Sequence, residues 1–485
     1  MMEKAIEKIE HIQAKPFVNG KWLLDGREKV QVKSPYTGEV IGEQYLATME
    51  DVEEALQSAF ISKKEIGAIP AYERANILKR AADLLDEKRE SIARLISMEL
   101  GKPLKNTLDE VARSVETLYL SGEEAKRLTG ESIPGDASER GANAIATTFR
   151  VPVGVIAAIT PFNAPLNLVC HKVGPAFAAG NAVVLKPAPQ TSLIATALLE
   201  ILLEAGMPGN AINMVLGGVE VGQAVVKDNR INVISFTGGT IAARNITKLA
   251  GMKKVLLELG GNAATIVHED ANLARAALMC ARTGFSNSGQ SCISVQRIYV
   301  HQAVVSEFNE LLKTEVEKLK VGDPLLPDTD VGTLVDVNAA DRIIDWIDLS
   351  VRAGAELVSG GKQNGANVQP TILYNPPKTA NVVCQEVFGP IVSILPYENI
   401  EDAIVEANDS EYGLQAGIFT NQLDLAYKAA KTLEVGGVVI NGTSNYRLDH
   451  WPYGGVKNSG IGREGPRFAI EDMTETKMIV LHLPE

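Results

Sequence analysis

Val233-Ile-Ser-Phe-Thr-Gly-Gly-Thr-Ile-Ala-Ala-Arg-Asn-Ile-Thr-Lys-Leu-Ala250 holds one repeating unit of the fold: a short apolar strand, a glycine turn and a helix. Strand Val233–Phe236 stops at Gly238-Gly239, and Thr240–Ala250 reads as the helix that follows. The unit recurs on both sides. Upstream come a buried strand over Val153–Ile159, then a Pro-rich turn and an apolar helical stretch. Strand Val183–Lys186 precedes helix Thr191–Ala205, which Gly206 and Pro208 end. Strand Ile212–Leu216 precedes helix Val219–Lys227, and downstream lies strand Val255–Leu257. Alternation of this kind, with strands rich in Val, Ile and Leu, specifies an α/β fold built on a parallel, doubly wound sheet covered on both faces. Ligands of such sheets bind outside the carboxyl ends of the strands. Thr160-Pro-Phe-Asn163, Lys186-Pro187, Phe236–Thr240 and Glu258-Leu-Gly-Gly261 all fall there.

Outside this block, the first fifty residues read as short extended pieces. Thr48 with Asp51 three residues on resembles a capping box for a helix carrying Val52, Ala55, Leu56 and Ala59. An amphipathic helical stretch covers Ala71–Leu100 and stops at Gly101. Another covers Asn106–Arg127, with Leu108, Val111, Ala112, Val115, Leu118 and Tyr119 on one face. A strand follows at Ala144–Arg150. A second α/β unit runs from about Asn262 to Val439, with helices near Leu273–Thr283, Val304–Lys320, Ala339–Ala353 and Leu423–Thr432 and strands near Gln296–Val300 and Val435–Ile440. The apolar tail Lys477–Pro484 reads as a strand that needs a partner edge, which another subunit can supply.

A chain of 485 residues is too long for a single core. Its 45% hydrophobic and 22% charged residues are ordinary for a globular protein. A net charge of −13 without a dense Lys/Arg stripe speaks against nucleic acid as partner. The four cysteines are widely spaced and show no Cys/His ligand pattern, so a reducing, cytoplasmic setting and no metal site are expected. The charged start Met1–Lys8 carries no apolar signal segment. Val151–Cys170 has no charged side chain over twenty positions. Its three prolines and two asparagines, however, suit a buried strand and loop, not a membrane span.

Cys292 lies in a loop of small and polar residues, Phe285-Ser-Asn-Ser-Gly-Gln-Ser-Cys292, where a substrate can approach the sulfur. The loop alone also fits a plain surface thiol in a turn. Asn163, between Pro161 and Pro165, is either a fixed amide suited to an oxyanion or an ordinary turn residue. Glu258 at a strand end, before Gly260-Gly261, is either a buried general base or a cap. Gly238 and Gly239 at a helix N-terminus suit a pyrophosphate, or simply a tight turn. Lys186 suits a ribose or 2′-phosphate, or else solvent. No G-x-G-x-x-G follows a strand, and Gly217-Gly218-Val-Glu-Val-Gly222 is only a weak approach to one.

Taken in order, Thr160-Pro-Phe-Asn163, Leu185-Lys-Pro187, Phe236-Thr-Gly-x-Thr240, Leu257-Glu-Leu-Gly-Gly261, Gly289-Gln-x-Cys292, Glu386-Val-Phe-Gly-Pro390, Asn441-Gly442 and Tyr453-Gly-Gly-Val-Lys-x-Ser-Gly460 resemble the NAD(P)-dependent aldehyde dehydrogenase superfamily over essentially the whole chain. The resemblance implies a cofactor-binding domain at 1–124 and 149–259, and a catalytic domain at 260–440. It also implies oligomerisation strands at 125–148 and 468–485, a segment at 441–467 returning to the active site, and a homodimer or homotetramer. Catalysis would fall to Cys292 as nucleophile, Glu258 as base and Asn163 as oxyanion donor. NAD or NADP would be held by Thr160, Pro161, Phe162, Lys186, Pro189, Gly218, Phe236, Thr237, Gly238, Gly239, Thr240, Leu259, Gly260, Glu386 and Phe388. Many NAD-preferring members have a glutamate where this chain has Pro189, so tolerance of NADP is expected. A small-molecule aldehyde would meet Arg113, Ala164, His171, Ser291, Ile293, Arg447 and Tyr453. Arg447-Leu-Asp-His-Trp-Pro-Tyr453 resembles the lactaldehyde, phosphonoacetaldehyde and sulfolactaldehyde branches, which implies a short hydroxylated or anionic substrate. Arg113 on its helix's polar face equally suits a solvent-facing role. Members that pass the acyl group to CoA generally lack the base glutamate, which this chain keeps.

Overall fold

The computed structural model describes residues 12–483. The charged start, and Pro484 of the expected tail strand, lie outside them. Strands Val155–Ile159, Ala182–Lys186, Ile212–Met214, Val233–Thr237 and Lys254–Glu258 pair in parallel. Val155–Ile159 lies centrally, with the next two strands of the chain on one side and the last two on the other. The connection therefore reverses between Val155–Ile159 and Val233–Thr237, which opens a crevice beyond their carboxyl ends. Successive side chains alternate between two cores. Ile156 and Ala158 join Leu193, Leu198 and Leu202 on one face, whereas Val155, Ala157 and Ile159 join Ala55, Leu56 and Val225 on the other. The sheet is parallel only in this centre. Phe17–Val18 and Gly460–Ile461 add antiparallel pairings at its edges, each over only one or two residues. That is too short to leave a periodic signal in the sequence.

A second sheet runs Glu356–Ser359, Thr371–Tyr374, Ile391–Tyr397, Arg297–His301, Ala264–Val267, Gln415–Phe419, Gly437–Ile440, parallel except at the first pair. A third, small sheet pairs Thr474–His482 antiparallel with Ala144–Pro152, which in turn pairs with Ser132–Pro134. It leaves Ile133, Ile145, Phe149, Met478, Ile479, Val480 and Leu481 exposed.

The capping box forms as read: Thr48 accepts from the Asp51 N–H, and the Asp51 carboxylate accepts from the Thr48 N–H. Gly101 ends its helix in the left-handed region at φ 71°. Three details differ from the sequence reading. The stretch Ala71–Leu100 is two helices, Ala71–Glu87 and Arg89–Leu100, meeting at Lys88. The buried positions Leu78, Leu85, Ile92 and Ile96 keep helical spacing across the joint, so apolar periodicity runs straight through it. Tyr119 is exposed and lies under the Lys79 ammonium, off the apolar face assigned to it. Five strands of the second sheet and helix Ile400–Asn408 are not separated in the sequence reading.

Candidate active site

The crevice holds a cavity of about 850 Å³. Its lining includes Thr160, Phe162, Asn163, Lys186, Glu258, Cys292, Glu386, Phe388, Arg447 and Tyr453, drawn from both large sheets. The Cys292 loop owes its shape to Asn287, Ser288 and Gly289, three successive residues in the left-handed region. At Gly289 a Cβ would meet the Gly389 carbonyl at 2.1 Å, so no other residue fits. The buried Gln290 side chain pins the loop, donating to the Asn287 and Thr333 carbonyls and accepting from the Val335 N–H. Cys292 Sγ lies 3.0 Å from the Tyr453 hydroxyl. Burial pushes this thiol up to about 12.

Asn163 Nδ2 donates to the Gln290 carbonyl at 3.1 Å, which orients its amide beside the cysteine loop. The Asn163 backbone carbonyl accepts from Lys102 Nζ and Asn287 Nδ2. Lys102 is itself paired with Glu110 at 2.6 Å, and the other Glu110 oxygen accepts from the Leu166 and Asn167 N–H groups. A buried ion pair thus braces the turn that carries the amide.

Glu258 ends its strand in the crevice, 6% exposed, and Oε2 has no hydrogen-bond partner among the described residues. Burial raises its carboxyl well above the ordinary range and Glu464 adds to this, against Arg447, Lys172 and Arg463. Glu386 Oε1 accepts from the Gly261 N–H at 3.1 Å, and burial lifts this carboxyl to about 7. Phe388, at φ 47°, meets Phe162 edge-on at 5.8 Å. Lys186 is lowered to about 8 by burial, partly offset by Glu220.

Behind Cys292 and Glu258 lies a cluster of charges, of which the sequence pointed to Arg113, His171 and Arg447. Arg113 grips Asp449 with two hydrogen bonds, at 2.8 and 3.0 Å, and His171 Nε2 approaches the same carboxylate at 2.8 Å. Arg447 Nη2 donates to Glu464 at 3.0 Å and its guanidinium stacks 3.9 Å from the Tyr453 ring centroid. Lys172 Nζ donates to the other Glu464 oxygen. Burial and the neighbouring Arg447 lower His171. Arg113 thus pairs with Asp449, and Lys172 and Arg447 share Glu464.

The sequence pattern of the aldehyde dehydrogenase family matches residues 22–479. The chain belongs to that family. It is therefore an NAD(P)-dependent aldehyde oxidoreductase, as the sequence implied. It is 47% identical over 468 residues to the 3-sulfolactaldehyde dehydrogenase of Priestia megaterium, covering 96% of this chain and 98% of that one. To the lactaldehyde dehydrogenase of Methanococcus aeolicus it is 39% identical over 472 residues, covering 96% and 99%. The crystal structure of NADP-dependent glyceraldehyde-3-phosphate dehydrogenase from Bacillus halodurans, complexed with NADP, superposes with a TM-score of 0.95 at 37% identity, covering 97% and 100%.

Within this dehydrogenase, all the residues expected to hold the cofactor line the cavity except Thr240. The buried Thr160 hydroxyl has no partner among the described residues, and Gly260 leaves room for the Glu386 carboxylate, so the lining fits a polar, ribose-bearing ligand. Of the residues expected to meet the aldehyde, Arg447 and Tyr453 line the cavity, whereas Arg113 and His171 sit behind them on Asp449. Ile293 packs with Leu414 against Tyr453 and Cys292. Ser291 and Ala164 are not among the lining residues. Sequence reasoning missed Asp449, Glu464 and Lys172 as site residues; the first two lie in the returning segment, but only tertiary structure brings them to the cavity. Among the described residues no helix is long and apolar enough to cross a membrane.

Proposed function

We propose that this enzyme oxidises a short hydroxylated or anionic aldehyde to the carboxylate through a thioester on Cys292. The observation that carries the reading is the convergence of the Cys292 thiol, the Asn163 amide and the unpartnered Glu258 oxygen on one cavity. Sγ attacks the aldehyde carbon and the carbonyl electrons move to oxygen. One Asn163 N–H is held by Gln290, which leaves the second to receive that oxyanion. A bound nicotinamide supplies the hydride acceptor. Glu258, in its ionised form, then removes a proton from the water that hydrolyses the thioester; a carboxyl raised by burial is a stronger base than an exposed one. Thr160, Lys186, Gly260, Glu386 and Phe388 hold the cofactor in this reading. Pro189 brings no carboxylate beside Lys186 to repel a 2′-phosphate, which favours tolerance of NADP.

The Arg447 guanidinium on the cavity wall, a donor to an anion or a hydroxyl, supports an anionic or hydroxylated tail on the substrate. The names of the Priestia and Methanococcus relatives agree with it. The small sheet, with its exposed Met478–Leu481, supports a homo-oligomer.

The test is a panel of aldehydes assayed with both cofactors, alongside Cys292→Ser and Glu258→Gln. Cys292→Ser should abolish cofactor reduction, and Glu258→Gln should give a single burst and a trapped acyl-enzyme visible by mass. Steady turnover by either variant refutes the mechanism. Equal kcat/KM for propanal and for lactaldehyde, glyceraldehyde phosphate or a sulfonated analogue refutes the substrate class.

A further inference from the structure

The Tyr453 hydroxyl lies 3.0 Å from Cys292 Sγ, closer to the sulfur than packing alone requires. The contact is rigidly built. The Tyr453 N–H and carbonyl both bond to the Glu464 backbone, at 3.1 and 2.6 Å, in an isolated antiparallel bridge. The ring is 5% exposed and packs with Ile293 and Leu414 against Cys292, and the Arg447 guanidinium covers its face at 3.9 Å. The packing holds the ring, and with it the phenol oxygen, beside the sulfur.

We infer that Tyr453 is a catalytic residue that serves the nucleophile: its O–H donates to the Cys292 thiolate and fixes the sulfur for attack. The inference rests on the reading of Cys292 as nucleophile. The same contact exists with either charge on sulfur. A neutral S–H donates weakly to the phenol oxygen, whereas a thiolate accepts a charge-assisted bond from the phenol O–H, and the charge-assisted bond is the stronger. The contact therefore favours the ionised sulfur. Arg447, stacked on the ring, draws electron density from it and makes the O–H a better donor.

The need is physical. Burial raises this thiol, and Glu386 and Glu258 push it the same way; Tyr453 and Arg447 are the groups that oppose them. In the reaction the thiol proton leaves to solvent, the Sγ electron pair forms the C–S bond, and the carbonyl π pair moves to oxygen. Tyr453 keeps its proton throughout.

Tyr453→Phe removes one oxygen and keeps the ring and its packing. The experiment follows carbamidomethylation of Cys292 by iodoacetamide, in protein without cofactor, from about pH 6 to about pH 10, reading the Cys292 peptide by mass. In the same sample the exposed Cys384 reports on the reagent, and the buried Cys170 and Cys280 on the fold. Throughout this range Cys292 alkylation in Y453F should run about tenfold slower than in wild type, the offset of a thiol raised by about one pH unit, while Cys384 is unchanged. In turnover, kcat should fall with KM for the aldehyde little altered. Coincident Cys292 rate profiles in the two proteins, or faster alkylation in Y453F, overturn the inference. Aldehyde oxidation that survives Cys292→Ala overturns instead the reading on which it rests.

Discussion

Replacing Gly260 by alanine tests the cofactor side of the site with a single methyl group. Gly260 lies outside the left-handed region, so alanine costs the backbone little. The space is the obstacle. A Cβ there would sit 2.3 Å from Glu386 Oε2 and 2.7 Å from its carboxyl carbon. The Glu386 side chain must swing away and release the Gly261 N–H that it now engages at 3.1 Å. A hydrogen bond to a charged group contributes about 1.5–3 kcal/mol. If Glu386 holds the nicotinamide ribose, displacing it should weaken the cofactor by a similar amount, about 10- to 150-fold in Kd. Titration of the apoenzyme with NAD+ and with NADP+, read by tryptophan quenching or calorimetry, gives that Kd directly. Glu386→Gln should weaken binding comparably, and the double variant should fall short of the sum, because both changes act on one carboxylate. Gly261→Ala is the contrasting case. Its Cβ would meet the Cys292 carbonyl at 2.2 Å, a backbone atom that cannot swing aside, so the nucleophile loop should be disrupted and activity lost. Unchanged cofactor affinity in G260A refutes the role assigned to Glu386.

Two further outcomes follow from the structure. Glu99 is buried and accepts from the Leu193 and Ile194 N–H groups; burial lifts its carboxyl to about 8 from an ordinary 4.5. A carboxyl raised in the folded state stabilises fully below its unfolded value, and that stability is lost as pH climbs through the folded value. Between those limits the loss is about 1.4 kcal/mol per pH unit, so thermal melts of Glu99→Gln should match wild type near pH 5 and be more stable at pH 9, with equal slopes refuting the point. Ile479→Lys with Leu481→Lys puts charge on the exposed face of the small sheet, and light scattering should show a smaller assembly than wild type.

Much of the fold was legible because central strands such as Val155–Ile159 and Ala182–Lys186 are buried at every position and several helices stop at glycine, as at Gly101 and Gly251. Val219–Lys227, Thr240–Ala250 and Leu423–Thr432 match the sequence reading to the residue. What stayed hidden is short or non-local. The joint at Lys88 keeps the apolar spacing intact, and Gly460–Ile461 pairs with Lys254–Glu258 through two residues. Cys292, Glu258 and Asn163 were visible because each stands in a distinctive local setting of small residues, glycines or prolines. Asp449 and Glu464 stand in no such setting, and what they do depends on Arg113, His171, Lys172 and Arg447 reaching them across the crevice.

That cluster sits where base and substrate would meet. Arg447 lines the cavity, engaged by Glu464 at 3.0 Å and stacked on the Tyr453 ring. Arg447, Lys172 and Arg463 draw the Glu258 carboxyl toward its charged form, against burial and Glu464. If the aldehyde carries an anionic tail beside Arg447, that tail adds negative charge near Glu258 and pushes its carboxyl further up. The alkaline rise of thioester hydrolysis should then lie at higher pH with an anionic aldehyde than with a neutral one of equal length, and coincident pH profiles refute the link.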